Sequence, residues 1–346
     1  MSFTHLHVHT GYSLLDGSCK IKEIISRAKK LNMTSLAITD HGVMYGVIDF
    51  YKEAKANGIK PILGCEVYVS PSSRFEKQAK QGDRYYHLIL LAKNNKGYEN
   101  LTKIVSKGFT EGFYYKPRID FELLKEYHEG IIALSACLAG ELPVLLLNGE
   151  KEKAETHVRK YREIFGAENY FIELQDHGLK EEKKASKLLI EMARKVGVPL
   201  VLTNDIHYVE QKDYIAQDIL MCIGMKKLRT DTNRMQFEGS EFYFKSGEEM
   251  AMLFPEYPEA ILNTVRIAEM CNLEIPQPGP ILPIYKIPED FSSKEDYIRH
   301  LAEEGLKKRY PVITDEIKNR LNYELDIVIK MDFVGYFLIV WDFINW

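Results

Sequence analysis

Short apolar runs alternate with amphipathic stretches along most of the chain, and their order predicts a βα rhythm. Phe3–His9 reads as a strand and Lys20–Asn32 as a helix. Ser35–Thr39 is a strand, Tyr45–Asn57 a helix, and Lys60–Val69 and Tyr86–Ala92 are further strands. A helical pattern runs from about Lys96 to Lys107. Gly130–Leu134 is a strand, followed by helices over Gly140–Leu147 and Lys151–Phe165. Asn169–Gln175 is a strand, Leu179–Val196 a helix and Pro199–Leu202 a strand. This rhythm predicts a parallel sheet with helical crossovers, and the number of strands fits a closed barrel better than an open sheet. Neither G-x-G-x-x-G nor a P-loop occurs, so the usual nucleotide signatures of open sheets are missing.

The rhythm breaks at IPQPGPILPIYKIP, where five of the 13 prolines fall between Pro276 and Pro288. Proline fixes φ and disfavours helix before it, so this stretch reads as an extended connector. Two helical patterns follow, Ser293–Tyr310 and Asp315–Met331, with Ser293 as N-cap and Asp296 three residues on. The reading is a barrel domain over 1–272, a Pro-rich linker over 273–290 and a helical segment over 291–346. The chain stops inside the apolar run FVGYFLIVWDFINW, so 291–346 is expected to be the start of a larger domain. A terminal helix docked on the barrel is the alternative.

Composition narrows the class. With 45% hydrophobic and 28% charged residues, the 346-residue chain reads as globular. The net charge of −4 excludes a histone-like basic binder and leaves room for a local basic groove. No signal peptide or membrane span is expected, because the N-terminus lacks a basic and apolar leader and no long uninterrupted apolar window occurs. The 5 cysteines include no C-x-x-C, which argues against a disulfide framework or zinc ribbon and for a reducing cytoplasm.

Metal-ligating residue types gather at predicted strand ends. His7 and His9 alternate with Leu6 and Val8, so both imidazoles share one face of the first strand. His5 shares that face one step further down. Asp16 lies in the loop after this strand. The second strand ends in Thr39-Asp40-His41-Gly42, and the third carries Cys65-Glu66. A later strand runs into Ser135-Ala136-Cys137, and the last into Asn204-Asp205-Ile206-His207. In a parallel barrel all strand C-termini open on one face, where active sites gather. His87 opens its run instead of ending it, an awkward place in such a barrel. Any one of these residues alone reads equally well as structural. Together they form the donor set of zinc, iron or manganese.

The strings HLHVHTGYSLLDG, ITDHG, GCEVYV and NDIHYV resemble the polymerase and histidinol phosphatase (PHP) domain. More narrowly, with EGFYYKPRID and FVGYFLIVWDFINW, the whole chain resembles the N-terminal region of bacterial DNA polymerase III alpha subunits. The resemblance implies a distorted (β/α)7 barrel holding two to three divalent metal ions. It implies that His7, His9, Glu66 and Asp205 hold one ion. Glu66 would bridge to a second with His87 and Cys137, and Asp16, His41 and His207 would hold a third. Asp16 and Cys137 stand where many stand-alone members have histidine. Polymerase catalysis is not expected from these residues, because no two aspartates stand two apart as in the Asp-x-Asp pair of the alpha subunit.

Three divalent ions against Asp16, Glu66, Asp205 and a Cys137 thiolate leave about two positive charges, enough to draw in a phosphate. The expected activity is phosphoester hydrolysis, in this context a 3′–5′ exonuclease acting on the primer 3′ end of DNA. Asp16, His41, Glu66 and Asp205 are the expected catalytic residues. Asp40 reads as a ligand-orienting residue or as a turn residue beside Gly42. Arg84, Lys116 and Arg118, in loop-like segments with Tyr114 and Tyr115, are expected to grip the strand. The cluster Lys307, Lys308, Arg309 offsets a helix dipole. Expected partners are DNA, the rest of the alpha subunit and other replisome subunits, with no membrane. One competing reading is a silent module that stabilises the polymerase and docks partners. Another is a small-molecule phosphatase.

Overall fold

All the predicted strands but the first pair into one mixed sheet in the computed structural model, which describes residues 2–77, 85–276, 279, 281 and 283–346. These residues form two compact units that divide between Ile275 and Pro276. The first unit runs α1 (Ile21–Lys30), β1 (Ser35–Ile38), α2 (Val47–Ala56), β2 (Lys60–Val69), β3 (Tyr86–Ala92), α3 (Asn95–Thr110), β4 (Phe113–Tyr114), β5 (Lys116–Ile119), α4 (Phe121–Tyr127) and β6 (Ile131–Leu134). It continues with α5 (Glu141–Leu147), α6 (Lys151–Phe165), β7 (Tyr170–Leu174), α7 (Lys180–Val196), β8 (Leu200–Leu202), α8 (Tyr214–Met225), α9 (Gly247–Ala251) and α10 (Pro258–Met270).

The sheet order is β4-β5-β2-β3-β6-β7-β8, with β1 on the edge of β2 that β5 extends. The all-parallel expectation fails at β3, which is antiparallel to both β2 and β6. Phe3–His9 is extended but is not a ladder strand. Its Val8 N–H bonds to the Thr39 side chain at 2.8 Å, where a regular strand would use a carbonyl. It still closes the ring. Ala37 N–H bonds to His5 O at 3.0 Å, Thr39 N–H to Val8 O at 2.9 Å, and His9 N–H to Ile206 O at 2.8 Å beyond β8. The segment, β1, β2, β3, β6, β7 and β8 thus form a seven-membered (β/α) barrel. Its strict alternation is lost, since Leu6 joins the interior cluster and Val8 the outer one.

Two apolar layers hold the ring. Inside it, Leu6, Ile62, Ile89, Leu91, Ile132 and Phe171 pack together with Ile267 of α10. Outside, helices such as α1 bury Ile24, Ile25 and Ala28 against the sheet. Helix α10 lies at the end where β2 begins and β3 finishes. There Asn272 accepts from Lys60 Nζ at 2.9 Å and its N–H bonds to Lys93 O at 2.7 Å. The opposite end carries the buried polar residues His7, His9, Glu66 and Asp205.

In the second unit, α11 (Lys294–Arg309), α12 (Asp315–Lys330) and α13 (Val334–Asn345) share a small core of Tyr297, Ile298, Leu325, Val334 and Leu338. Ser293 caps α11 by accepting from Asp296 N–H at 3.1 Å. Lys307, Lys308 and Arg309 occupy its last turn, where the dipole favours cations. No helix among the described residues is long and apolar enough to cross a membrane.

One of the tight backbone approaches in the barrel wall is at α3. Asn94 caps this helix through Gly97 N–H at 2.9 Å. A Cβ at Gly97 would meet Gly130 O at 1.8 Å. Gly97→Ala is therefore expected to lower stability by about 1–3 kcal/mol through overpacking, read as a lower denaturant midpoint with unchanged m. An unchanged midpoint would show that this contact yields at no cost.

Candidate metal centre

Every segment of the ring except β7 delivers a donor to the same end. His7 and His9 come from the N-terminal segment, Asp16 from the loop before α1, and His41 from the residues after β1. Glu66 lies on β2 and His87 on β3, Cys137 follows β6, and Asp205 and His207 follow β8. The antiparallel β3 removes the awkwardness of His87. Register pairs His87 with Tyr68, so the start of β3 lies beside the end of β2. Gly42 has φ +63°, and a Cβ there would meet the Tyr68 ring at 2.8 Å. Only glycine turns the chain there without displacing that ring.

All nine expected donors come together. His7 Nε2 and His9 Nε2 are 3.0 Å apart. Asp205 Oδ1 lies 3.2 Å from the first and 3.1 Å from the second. Glu66 sits between groups. Its Oε1 is 3.3 Å from His7 Nε2 and 2.9 Å from His87 Nδ1, and its Oε2 is 2.5 Å from His41 Nδ1. Cys137 Sγ is 4.0 Å from Glu66 Oε1 and 3.9 Å from His87 Nδ1. Asp16 Oδ2 is 2.8 Å from His41 Nε2 and 3.5 Å from His207 Nε2. Three overlapping sets have metal-binding spacing: His7 with His9 and Glu66, His41 with Glu66 and His87, and His9 with His41 and His207.

Burial makes these contacts costly unless charge is balanced. Four buried atoms, His41 Nδ1, Glu66 Oε2, Asp205 Oδ1 and His207 Nε2, have no hydrogen-bond partner among the described residues. Each lies close to another donor atom without hydrogen-bond geometry, as lone pairs do when aimed at a shared cation. Two nitrogens on one ion at about 2.0–2.1 Å stand roughly 3 Å apart, which is the His7–His9 spacing. Histidine, carboxylate and thiol together suit zinc, iron or manganese. The residues present therefore fit divalent metal ions.

Protonation tells the same story. Burial pushes Glu66 up, but His87, His41 and His7 hold it well below the usual carboxylate range. Asp205 and Asp16 are lowered likewise against burial, the first mainly by His7 and His207, the second by His207 and His41. Burial lowers His41, yet Glu66 and Asp16 outweigh it and raise its pKa to about 10. His7 rises well above its ordinary value, with Asp205, Glu173 and Glu66 opposing burial. His9 is the exception: burial, with His41 and His207 alongside, lowers it to about 3. Burial and the neighbouring Asp205 and Glu66 raise the Cys137 thiol. Imidazolium protons thus balance the carboxylates where a metal cation would do so instead.

An outer layer of polar residues fixes the donors. Asp40 accepts from Thr10 N at 2.6 Å, Thr10 Oγ1 at 2.8 Å and Ser13 Oγ at 2.8 Å, and Ser13 Oγ contacts His9 Nδ1 at 3.1 Å. Asp40 therefore acts on His9 through Ser13. Sequence reasoning missed Glu173, which pairs with His7 Nδ1 at 2.8 Å and is joined by Gln175 at 2.9 Å and by Thr203. The available signal was an acid inside the apolar run Tyr170–Leu174. His5 stands apart from the donors, bonded to Lys245 O at 2.8 Å.

A cavity of about 680 Å³ opens over the donors, lined by Asp16, His41, His87, Asp205 and His207 together with Tyr12, Tyr45, Tyr85 and Lys116. The expected strand-gripping residues divide. Lys116 lines the cavity, its Nζ 5.2 Å from the Tyr68 ring centroid. Arg118 does not: it is buried, bonded to Glu76 O at 2.5 Å and Gly112 O at 3.3 Å, with Tyr114 beneath its guanidinium. Both lie on β5, not in a loop. Arg84 falls outside the described residues.

Residues 5–177, half of the chain, match the PHP domain, and residues 296–346 match the bacterial DNA polymerase III alpha NTPase domain. Asp205 and His207 lie beyond the first match. The DNA polymerase III subunit alpha of Treponema pallidum (strain Nichols) is 61% identical over 347 residues, covering 100% of this chain and 30% of its own length. That of Borreliella burgdorferi is 52% identical, covering 99% and 30%. The chain thus spans less than a third of these relatives. Among solved structures, an amidohydrolase from Chromobacterium violaceum is 16% identical, covering 60% of this chain and 88% of its own, at a TM-score of 0.37.

Metal binding must displace the protons on His41 and His7. At pH 7 both are charged in the metal-free site, so binding is expected to release protons, and affinity should climb as pH rises toward about 10. Calorimetry in two buffers of different ionisation enthalpy reads this release directly. Identical heats in both would contradict the assignment. Glu173→Gln should weaken metal affinity about 10–100-fold, since its carboxylate orients His7.

Proposed function

The chain belongs to the PHP domain family, and from that premise we propose that its donor cluster is a divalent-metal site for phosphoester hydrolysis. It acts as a 3′–5′ exonuclease on DNA within a replicative polymerase alpha subunit. The observation that carries the reading is the open cavity over nine converging donors, four of which carry a buried atom with no hydrogen-bond partner among the described residues. Structural metal sites are closed, whereas catalytic ones keep a position free for water and substrate. Two to three ions of zinc, manganese or iron suit the donors.

His7, His9, Asp205 and Glu66 hold one ion in this reading, Glu66, His87 and Cys137 a second, and Asp16, His41 and His207 a third. His41 also faces Glu66 at 2.5 Å, so it adjoins the second position as well. When bound, the ions supply Lewis acidity toward a phosphoryl oxygen and a water acidic enough to attack at neutral pH. Glu66 would serve two positions, its Oε1 facing both His7 and His87 and its Oε2 facing His41. Asp16 holds His41 and His207 in place. Lys116 brings positive charge to the cavity wall for the backbone of the strand, and Tyr12, Tyr45 and Tyr85 offer ring faces to its bases. The chain's similarity over its whole length to polymerase subunits favours DNA over a small phosphomonoester as substrate.

The test is hydrolysis of a 5′-labelled, 3′-mismatched primer by the metal-loaded chain, beside para-nitrophenyl phosphate and histidinol phosphate. Stepwise shortening from the 3′ end is expected, abolished by chelation and lowered at least about 100-fold in Glu66→Gln and His41→Ala. Preferred turnover of the small esters would make the chain a phosphatase. Full metal occupancy with no hydrolysis of any substrate would leave the silent partner-docking module as the better reading. Lys116→Ala should weaken single-strand binding and reduce the slope of log affinity against log salt by about 1, whereas Arg118 is excluded from that contact by its burial.

A further inference from the structure

A buried polar clamp lies beside the donors without supplying one. Its centre is Asn204, fully buried and immediately before Asp205. The Asn204 carbonyl accepts from His177 Nε2 at 2.8 Å. Its side-chain amide donates to Glu241 O at 3.0 Å and Tyr243 O at 2.8 Å, and its side-chain oxygen accepts from Lys245 Nζ at 3.2 Å. The partners are themselves fixed. Glu182, in the first turn of α7, meets His177 Nδ1 at 2.6 Å and accepts the His177 backbone N–H at 2.7 Å. The His177 ring stacks on Phe242 at 3.8 Å. The Lys245 side chain is only 3% exposed, bonded to Glu241 and lying over the Tyr243 ring.

The residue this clamp precedes has an unusual backbone. Asp205 has φ +45°, a left-handed conformation that residues with a Cβ rarely adopt. Such a conformation persists only where its surroundings over-determine it. Its consequence is functional. The turn sends Asp205 Oδ1 toward His7 and His9, while the Asp205 carbonyl accepts from His207 Nδ1 at 2.9 Å. That bond puts the His207 proton on Nδ1 and leaves the Nε2 lone pair facing Asp16. One turn thus aims two donors at two different groups of the cluster.

We propose that His177, with Glu182, and Lys245 are positioning residues that hold Asn204 and so fix the Asp205 turn, setting the orientation of Asp205 and His207 together. The inference rests on the metal-site reading above. It requires that breaking the clamp change the metal environment without removing any donor.

Metal-stripped chain, His177→Phe, His177→Gln and Lys245→Met are titrated with zinc by calorimetry and with cobalt(II) by visible absorption. Circular dichroism and thermal melts of the metal-free forms accompany both. His177→Phe keeps the stacking and loses the donor; His177→Gln keeps a donor. His177→Phe and Lys245→Met are expected to weaken binding about 10–100-fold and to alter the cobalt band at unchanged fold, with His177→Gln restoring both toward the parent. Parent-like affinity and spectra in His177→Phe and Lys245→Met would overturn the positioning role alone. Weakening that tracks only a lowered melting temperature, without rescue by His177→Gln, would also overturn it. A parent that binds neither ion would overturn the metal-site reading and this inference with it. If Lys245→Met does not fold, the two His177 variants decide.

Discussion

The site turns on one electrostatic demand: Glu66 is a charged carboxylate 1% exposed in the mouth of the barrel, and something positive must face it. Burying an unpaired carboxylate is prohibitive. The chain meets the demand by ringing Glu66 with His7, His41 and His87, each within 3.3 Å. His7 and His41, whose pKa values are raised, face it as cations and would become ligands where a metal takes over the charge. Asp16 and Asp205 repeat the arrangement on either side. Positive charge faces the acids whether protons or metal ions supply it, which lets so many acids and histidines share one low-dielectric volume.

Topology then decides which residues can take part. A purely parallel ring would place His87 at the far end of its strand, against the apolar plug made by α10. Reversing β3 brings its first residues beside the last of β2, and Glu66 gains a partner that a parallel strand could not supply. The N-terminal segment makes the complementary compromise. It gives up regular pairing, with Thr39 Oγ1 standing in for a carbonyl, and in return carries two imidazoles whose Nε2 atoms are 3.0 Å apart. Irregular backbone at Gly42 and Asp205 serves the same end.

Much of this was legible in the sequence, for a definite reason. Donor types at the edges of apolar runs are conspicuous, and each of the nine expected donors reaches the cluster. Strands with long apolar runs, such as Lys60–Val69 and Tyr86–Ala92, were readable to the residue. What failed were features set by partners distant in sequence. Strand direction is invisible to periodicity, so β3 was misjudged. The two-residue β4 and the short β5 carry too little pattern to distinguish them from loop. Helices α8 and α10 fell in a stretch where no βα rhythm remained to frame them. Arg118 looked like a strand-gripping cation because sequence shows charge but not the carbonyls of Gly112 and Glu76 that consume it. Glu173, His177 and Lys245 were missed because each reads as an ordinary polar residue until the fold surrounds it.

The outer layer explains why an open cavity and a precise donor set can coexist. Ligands that face solvent on one side cannot be held by packing on that side, so their orientation has to come from behind. Glu173, Gln175 and Thr203 stand behind His7, and Ser13 with Asp40 behind His9. Asn204 and its partners stand behind Asp205. Each support is a directional hydrogen bond to a nitrogen or carbonyl that is not itself a donor to the centre, so it fixes ring orientation and leaves the inward lone pair free. The polar framework behind the donors and the open face before them are therefore two aspects of one design, with rigidity supplied from the barrel side and access left on the solvent side.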